Sequence, residues 1–318
     1  MWRREARPPR GPERPTLEDI EGLNRLFANA FTDRYRRDGM PGVRVPHLNP
    51  AVWRFALESA GEGAMVWRDR GGDLVAFNLA HRSGVEGWMG PLAVRPDRQG
   101  EGLGKAIVEA GIAWLKAEGA RVIGLETMPR TIENVGFYSR LGFRPGPLTV
   151  SLTCAAEPGP ARDCESLSAA VDRAAALGEC EALLAEVAPG LSFERELRLT
   201  GDLALGDATL YRPGGRLAAF ALWHGAPLAE GRPREELRVL KLVARGVPEA
   251  QAVLAGVGVA AGGEPVGRVT VRCQSSYAEF YGALTDAGWQ VQWTDLRMTL
   301  VGHEERPARG IVLSNWEI

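Results

Sequence analysis

The sequence predicts an α/β fold of the α+β kind, in which a mixed, mostly antiparallel sheet flanked by helices is built twice. Three observations predict it. Short apolar runs of strand length alternate with amphipathic segments of helix length. A glycine-rich turn, Arg98-Gln99-Gly100-Glu101-Gly102-Leu103-Gly104-Lys105, joins an apolar run to an amphipathic segment. A pattern in the first half recurs in the second. The 318 residues suit two domains, and 45% apolar with 25% charged residues is an ordinary globular mixture. A formal net charge of −2 gives no global attraction to nucleic acid or an anionic membrane, and neither is expected as a partner. No apolar run approaches the roughly 20 residues of a membrane span.

In chain order, residues 1–13 are basic and proline-rich with no apolar core behind them, which predicts a disordered tail. Thr16 precedes acidic first-turn residues, and Ile20, Leu23, Leu26, Phe27 and Phe31 follow at helical spacing. Residues 32–50 are polar, aromatic and proline-punctuated, and are expected to form a long loop. A helix over 50–60 comes next, then strands over 64–68 and 74–81 joined by Asp69-Arg70-Gly71-Gly72-Asp73. A strand over 86–94 runs into the glycine turn. The helix behind it buries Leu103, Ala106, Ile107, Ala110, Trp114 and Leu115. A short strand over 121–125, a helix over 131–141 and a strand over 148–154 complete the first half.

The glycine turn has a physical meaning. Glycines leave backbone N–H groups unshielded at the positive end of a helix dipole, which makes a cradle for phosphate or pyrophosphate. Alone, it is any anion-binding turn. The four cysteines (Cys154, Cys164, Cys180, Cys273) have no CxxC spacing, and the four histidines (His47, His81, His224, His303) no HxH or HExxH pattern. Free thiols in a reducing cytoplasm are expected, with no metal.

In context the turn says more. Leu92-Ala93-Val94 followed by Gln99, Gly102 and Gly104 resembles the central motif of the GNAT superfamily of acyl-CoA-dependent N-acyltransferases, Q/R-x-x-G-x-G/A. Phe137-Tyr138-Ser139-Arg140-Leu141-Gly142-Phe143 resembles that family's tyrosine helix and its exit. The resemblance covers roughly residues 14–154. It implies a GNAT domain over 14–155 that takes acetyl-CoA as cosubstrate. Holding the pyrophosphate falls to Arg98, Gln99, Gly100, Glu101, Gly102, Leu103, Gly104 and Lys105. Backbone N–H groups near Ala93 and Val94 would polarise the thioester carbonyl, and Leu92, Ala93 and Val94 would line the cofactor site. Tyr138 would protonate the departing thiolate. Ungapped alignment puts Thr131 where the family often has asparagine, with Asn134 one turn later; either contacts the pantetheine or phosphate arm. Glu126, Glu86, His81 or a water chain would deprotonate the amine.

A linker over 156–165 separates the halves. Residues 65–77 match 209–220, His81 matches His224, and Leu92-Ala93-Val94-Arg95 matches Leu242-Val243-Ala244-Arg245. Phe137-Tyr138 matches Phe280-Tyr281, and Leu148, Val150 and Leu152 match Leu296, Met298 and Leu300. A second, degenerate GNAT-like domain therefore occupies 166–318. It lacks the phosphate turn: after Arg245 the chain reads Gly246-Val247-Pro248-Glu249, where proline donates no N–H and the carboxylate repels phosphate. Residues 311–316 read as a last strand that could return to the first half's sheet. Residues 32–50, with Tyr35, Arg36, Arg37, Asp38, His47 and Trp53, are expected to shape the acceptor pocket.

The function expected is transfer of a short acyl group from acetyl-CoA to a primary amine, on a small molecule or a peptide, in a ternary complex. The chain would be a monomer or homodimer. From a different class, a CoA-binding regulatory module without transfer fits the same motifs, as does a family member turned to another reaction such as decarboxylation.

Overall fold

The structure is a computed structural model and describes residues 9–156, 162–262 and 266–316. In the first half β1 (Arg10–Glu13) precedes the helices α1 (Ile20–Arg37) and α2 (Pro50–Ala60). Strands β2 (Ala64–Arg68), β3 (Leu74–Ser83) and β4 (Glu86–Val94) lead to α3 (Leu103–Ala117), β5 (Val122–Thr127), α4 (Ile132–Arg140) and β6 (Phe143–Ala155). The second half repeats the plan. It runs β7 (Cys164–Ser166), α5 (Arg173–Val187), α6 (Glu194–Asp202), β8 (Gly206–Tyr211), β9 (Ala219–His224), β10 (Glu236–Ala244), α7 (Val247–Gly262), β11 (Arg268–Gln274), α8 (Ala278–Asp286), β12 (Gln290–Leu300) and β13 (Ile311–Ser314).

Local chemistry sets these bounds. Asn49 caps α2 by accepting the Ala51 N–H, and Pro50 sits at the first turn, where a missing N–H costs nothing. α1 turns Leu23, Leu26, Phe27 and Ala30 inward against Trp53, Phe77 and Leu79. On the opposite face of the sheet, Ile107 and Leu115 of α3 meet Ile123, Leu125 and Phe143. Gly111 lets that helix approach closely, since a Cβ there would lie 2.5 Å from both Asn78 and Met89.

Four expectations need correction. α1 continues to Arg37, so residues 32–37 are helix rather than loop. Their polar side chains pair along the helix, with Arg34 on Asp38 at 2.8 Å and Arg37 on Asp33 at 2.7 Å, and basic residues suit its negative C-terminal end. Residues 10–13 pair with β2 instead of forming tail, while residues 1–8 lie outside the described part. Cys164 and Glu165, assigned to the linker, already form β7 on β8; residues 157–161 lie outside the described part. The final strand pairs antiparallel with β10 of its own half, not with the first half's sheet.

The strands form one sheet in the order β1-β2-β3-β4-β5-β12-β6-β11-β10-β9-β8-β7, with β13 on β10. Among the described residues, only β4/β5 and β10/β11 are parallel pairs. The centre carries a strand exchange. β12, from the second half, lies against β5, while β6, from the first half, lies against β11. Accordingly Met298 and Leu300 join the first half's core, and Val150 and Leu152 join the second's.

Candidate active site

β4 stays with β3 through Val94 but pairs with β5 only over residues 86–89. From Gly90 to Val94 its second edge has no strand partner among the described residues, so the sheet opens into a notch. The turn lies at the wide end of this notch. Gly100 and Gly102 both have φ of +83°, and a Cβ at either would meet nothing within 4 Å. Glycine is therefore required for the backbone angle rather than for space. The first bond of α3 runs from Ala106 N–H to Gly102 O at 3.2 Å, which leaves the amides of Leu103, Gly104 and Lys105 without intrahelical acceptors. Gln99 ties the loop down: its Nε2 donates to Val94 O at 3.1 Å, and its Oε1 accepts from Arg37 at 3.2 Å. Arg98 pairs with Glu101 at 2.9 Å and Lys105 with Glu109 at 3.7 Å. Gly104, with ordinary φ, packs 3.5 Å from Phe137 when given a Cβ, which joins α3 to α4.

Tyr138 lies on α4, 6% exposed, its ring against Phe137 and Phe143. Its hydroxyl has no hydrogen-bond partner among the described residues. Burial pushes the phenol above its ordinary range, so it keeps its proton at neutral pH.

The three candidate bases are brought to one region, the sheet face on the α1–α2 side, but each is engaged. His81 is buried; its Nε2–H donates to Gly90 O at 3.1 Å, and Ser59 Oγ lies 3.2 Å from Nδ1. Burial, with Lys241 and then Arg195 nearby, drives its pKa down to about 3 against the Gly90 hydrogen bond. Glu86 is 5% exposed and accepts a hydrogen bond from Ser314 Oγ at 2.6 Å. Glu126 accepts from Thr149 Oγ1 (2.5 Å), Arg272 (2.5 Å) and Arg297 (2.9 Å). Burial alone would raise its pKa, but the two guanidiniums outweigh it and hold the carboxyl below the usual range.

Thr131 departs from its expected role. It is fully buried, and its hydroxyl donates to Asp38 Oδ2 at 2.6 Å, so it fastens the start of α4 to the end of α1 rather than facing a cosubstrate. Arg130 donates to Asp38 O at 2.7 Å and Arg34 reaches Glu133 at 2.7 Å in the same clasp. Asn134 stays half-buried, with one weak contact to Thr127 Oγ1 at 3.4 Å. Trp53, expected at the acceptor pocket, is core: it is fully buried and donates to Asn24 Oδ1 at 2.7 Å.

Sequence reasoning missed the second half's contribution. Arg272 of β11 bridges Glu126 and Asp295, and Arg297 of β12 bridges Glu126 and Glu305 while lying 3.8 Å over the Trp88 ring. Tyr35 meets Trp293 edge-on at 6.3 Å, and Trp293 Nε1–H donates to Asp295 at 3.2 Å. Burial raises the Asp295 carboxyl, with Arg272 opposing. The only local signal was an arginine inside each of two otherwise strand-like runs.

The family model described as the acetyltransferase (GNAT) family matches residues 25–143. This stretch matches the GNAT family. The chain is 32% identical over 130 residues to serotonin N-acetyltransferase 2, chloroplastic, of Oryza sativa subsp. japonica, covering 41% of this chain and 58% of that protein. It is 30% identical over 126 residues to the mycothiol acetyltransferase of Actinosynnema mirum, covering 39% and 41%. A GCN5-related N-acetyltransferase from Sphaerobacter thermophilus superposes with a TM-score of 0.60 at 16% identity, over 95% of this chain and 98% of that one. A tandem GNAT protein from the clavulanic acid biosynthesis pathway does so with a TM-score of 0.55 at 13% identity, over 92% and 96%. At these identities the likeness concerns the fold, and it extends through both halves. The notch, the glycine turn up to Lys105 and Tyr138 all fall within the matched GNAT segment.

Proposed function

We propose that the chain transfers an acetyl or other short acyl group from acyl-CoA to a primary amine by direct transfer in a ternary complex. The observation that carries this reading is the convergence of three features at one end of the first half. These are the open β4 edge over 90–94, the amide cradle opening α3, and the unengaged hydroxyl of Tyr138. The cradle suits a pyrophosphate, and the open edge suits an extended amide-bearing arm that would add to it as a strand does. Tyr138 holds a proton for the leaving thiolate, with the Leu92 and Val94 amides beside the thioester, since the Ala93 amide turns toward β3. The amine enters from the α1 side, past Tyr35, Trp293 and Asp295, and loses its proton through ordered water, because Glu126, Glu86 and His81 are committed to other partners. That commitment also supports a second reading, a CoA-binding module without transfer; the free Tyr138 hydroxyl favours the first.

Two measurements test the reading. Acetyl-CoA at a hundredfold excess over Kd should stabilise the protein by about 2.7 kcal/mol in a melting assay. Gly102→Asp should abolish that gain, because it strains a left-handed backbone and places a carboxylate at the cradle. A gain that survives in this variant would remove the loop from the site. An acetyl-CoA consumption screen across amines, amino acids, aminoglycosides and peptides, read as free thiol, then separates transferase from binding module.

A further inference from the structure

The second half carries the same notch and closes it differently. β10 and β11 run parallel only over 236–239 and 268–271, as β4 and β5 do over 86–89 and 122–125. Beyond that point the β10 edge from Lys241 to Ala244, which aligns with 91–94, is taken by β13, in a ladder from Lys241↔Ser314 to Ala244↔Ile311. Side chains fasten it to β11. Asn315 Nδ2 donates to Arg272 O at 2.9 Å, and Gln274 Nε2 donates to Asn315 Oδ1 at 3.0 Å. The place left open in the first half is thus filled in the second by the chain itself.

On leaving this notch the chain enters the first half. Ser314 Oγ donates to Glu86. The Trp316 indole stacks on His81, with centroids 4.5 Å apart and planes at 16°, and carries Lys241 Nζ 3.5 Å from its ring centre. His81 in turn donates to the carbonyl of Gly90, the residue after the last β5-paired position of β4, Met89. A line of contacts, Lys241–Trp316–His81–Gly90, therefore runs from the filled notch to the apex of the open one.

We propose that Trp316 is a positioning residue for acyl transfer: through His81 it fixes the Gly90 carbonyl where β4 leaves β5, while Ser314 holds Glu86 at the other end of the β5-paired stretch. Its effect on turnover rests on the acyltransferase reading; its effect on His81 rests on geometry alone. The backbone just past Gly90 supplies the amides assigned to the thioester, so a shift at the apex moves the groups that must meet the developing oxyanion. Trp316 also shields the ring. His81 faces Lys241 from β10, Arg195 from α6 and Ser59 from α2, while Glu196 and Glu86 offset Lys241. Both cations oppose protonation of His81, and the indole keeps water from relieving them.

The test is Trp316→Ala, followed by NMR of the histidine ring protons and by kinetics, with Trp316→Phe and Trp316→Leu alongside. In the natural protein His81 should stay silent from about pH 8 to about pH 5, whereas in Trp316→Ala it should titrate within that window. Turnover should fall about tenfold or more, with the acetyl-CoA KM moving less than about threefold. Phenylalanine keeps a ring plane over His81 and should lose less turnover than leucine, which keeps volume only. That comparison still decides the matter if the alanine variant does not fold. A His81 that stays silent in Trp316→Ala, or equal losses for Phe and Leu, would overturn the proposal. Should no amine be acylated by the natural protein, the transferase reading fails, while the NMR arm still decides whether Trp316 holds His81.

Discussion

Replacing His81 with glutamine isolates the cost of burying an imidazole that the fold refuses to protonate. Glutamine retains a side-chain N–H for the Gly90 carbonyl and removes the titrating ring. The folded protein holds His81 at about 3, through burial and the nearby Lys241 and Arg195, against 6.5 in an unfolded chain. Between those values the unfolded chain binds a proton that the folded one does not. Stability is therefore full above 6.5 and falls as pH drops through 6.5 toward 3. For one site, moving from about pH 7 to about pH 5 removes about 2 kcal/mol, and following it to pH 3 removes about 4 kcal/mol, at about 1.36 kcal/mol per pKa unit. Urea unfolding at both pH values, with unchanged m, measures this directly. His81→Gln should be less stable than the natural protein at pH 7 yet lose about 2 kcal/mol less on going to pH 5. The other titrating groups cancel in that comparison. Equal losses for the two proteins would refute the reasoning, because His81 would then ionise as freely in the fold as outside it.

Tyr138→Phe should lower turnover about 10²- to 10⁴-fold while the acetyl-CoA melting gain persists; turnover that held would end the acid assignment. Arg297→Met should cost about 2–3 kcal/mol in urea unfolding, since it leaves half-buried Glu126 with Arg272 as its one remaining cation and removes the partner of Glu305. A cost under about 1 kcal/mol would mean that water already solvates this network.

Legibility in the sequence followed the range of the forces involved. The glycine turn was legible because Gly100 and Gly102 need a backbone angle that few other residues tolerate. α2 was legible to the residue because Asn49 and Pro50 mark its start chemically. The last two turns of α1 were not, because their polar residues look like loop until Arg34 is seen to reach Asp38 and Glu133. The strand exchange was illegible in principle. Leu148, Val150 and Leu152 carry the same alternation as Leu296, Met298 and Leu300, and alternation says which face is buried but not which strand is adjacent. With the neighbours unknown, the partners of Glu126 at Arg272 and Arg297 were unreadable, as was the fate of Thr131 on Asp38. The bonds that commit Glu86 and Glu126, from Ser314, Arg272 and Arg297, come from the other half and leave no trace in the local pattern.

The exchange of β6 and β12 also sets an order of events during synthesis. Glu126 of β5 meets Arg297 of β12 across 171 residues of sequence. A chain emerging from the ribosome has made the glycine turn, Tyr138 and every strand of the first half long before β5 receives its neighbour. Until then β5 is a parallel-sheet edge with unmet N–H and C=O groups, open to any other strand. The second half can dispense with a phosphate turn of its own, but not with β12, because the older half of the chain is waiting for it.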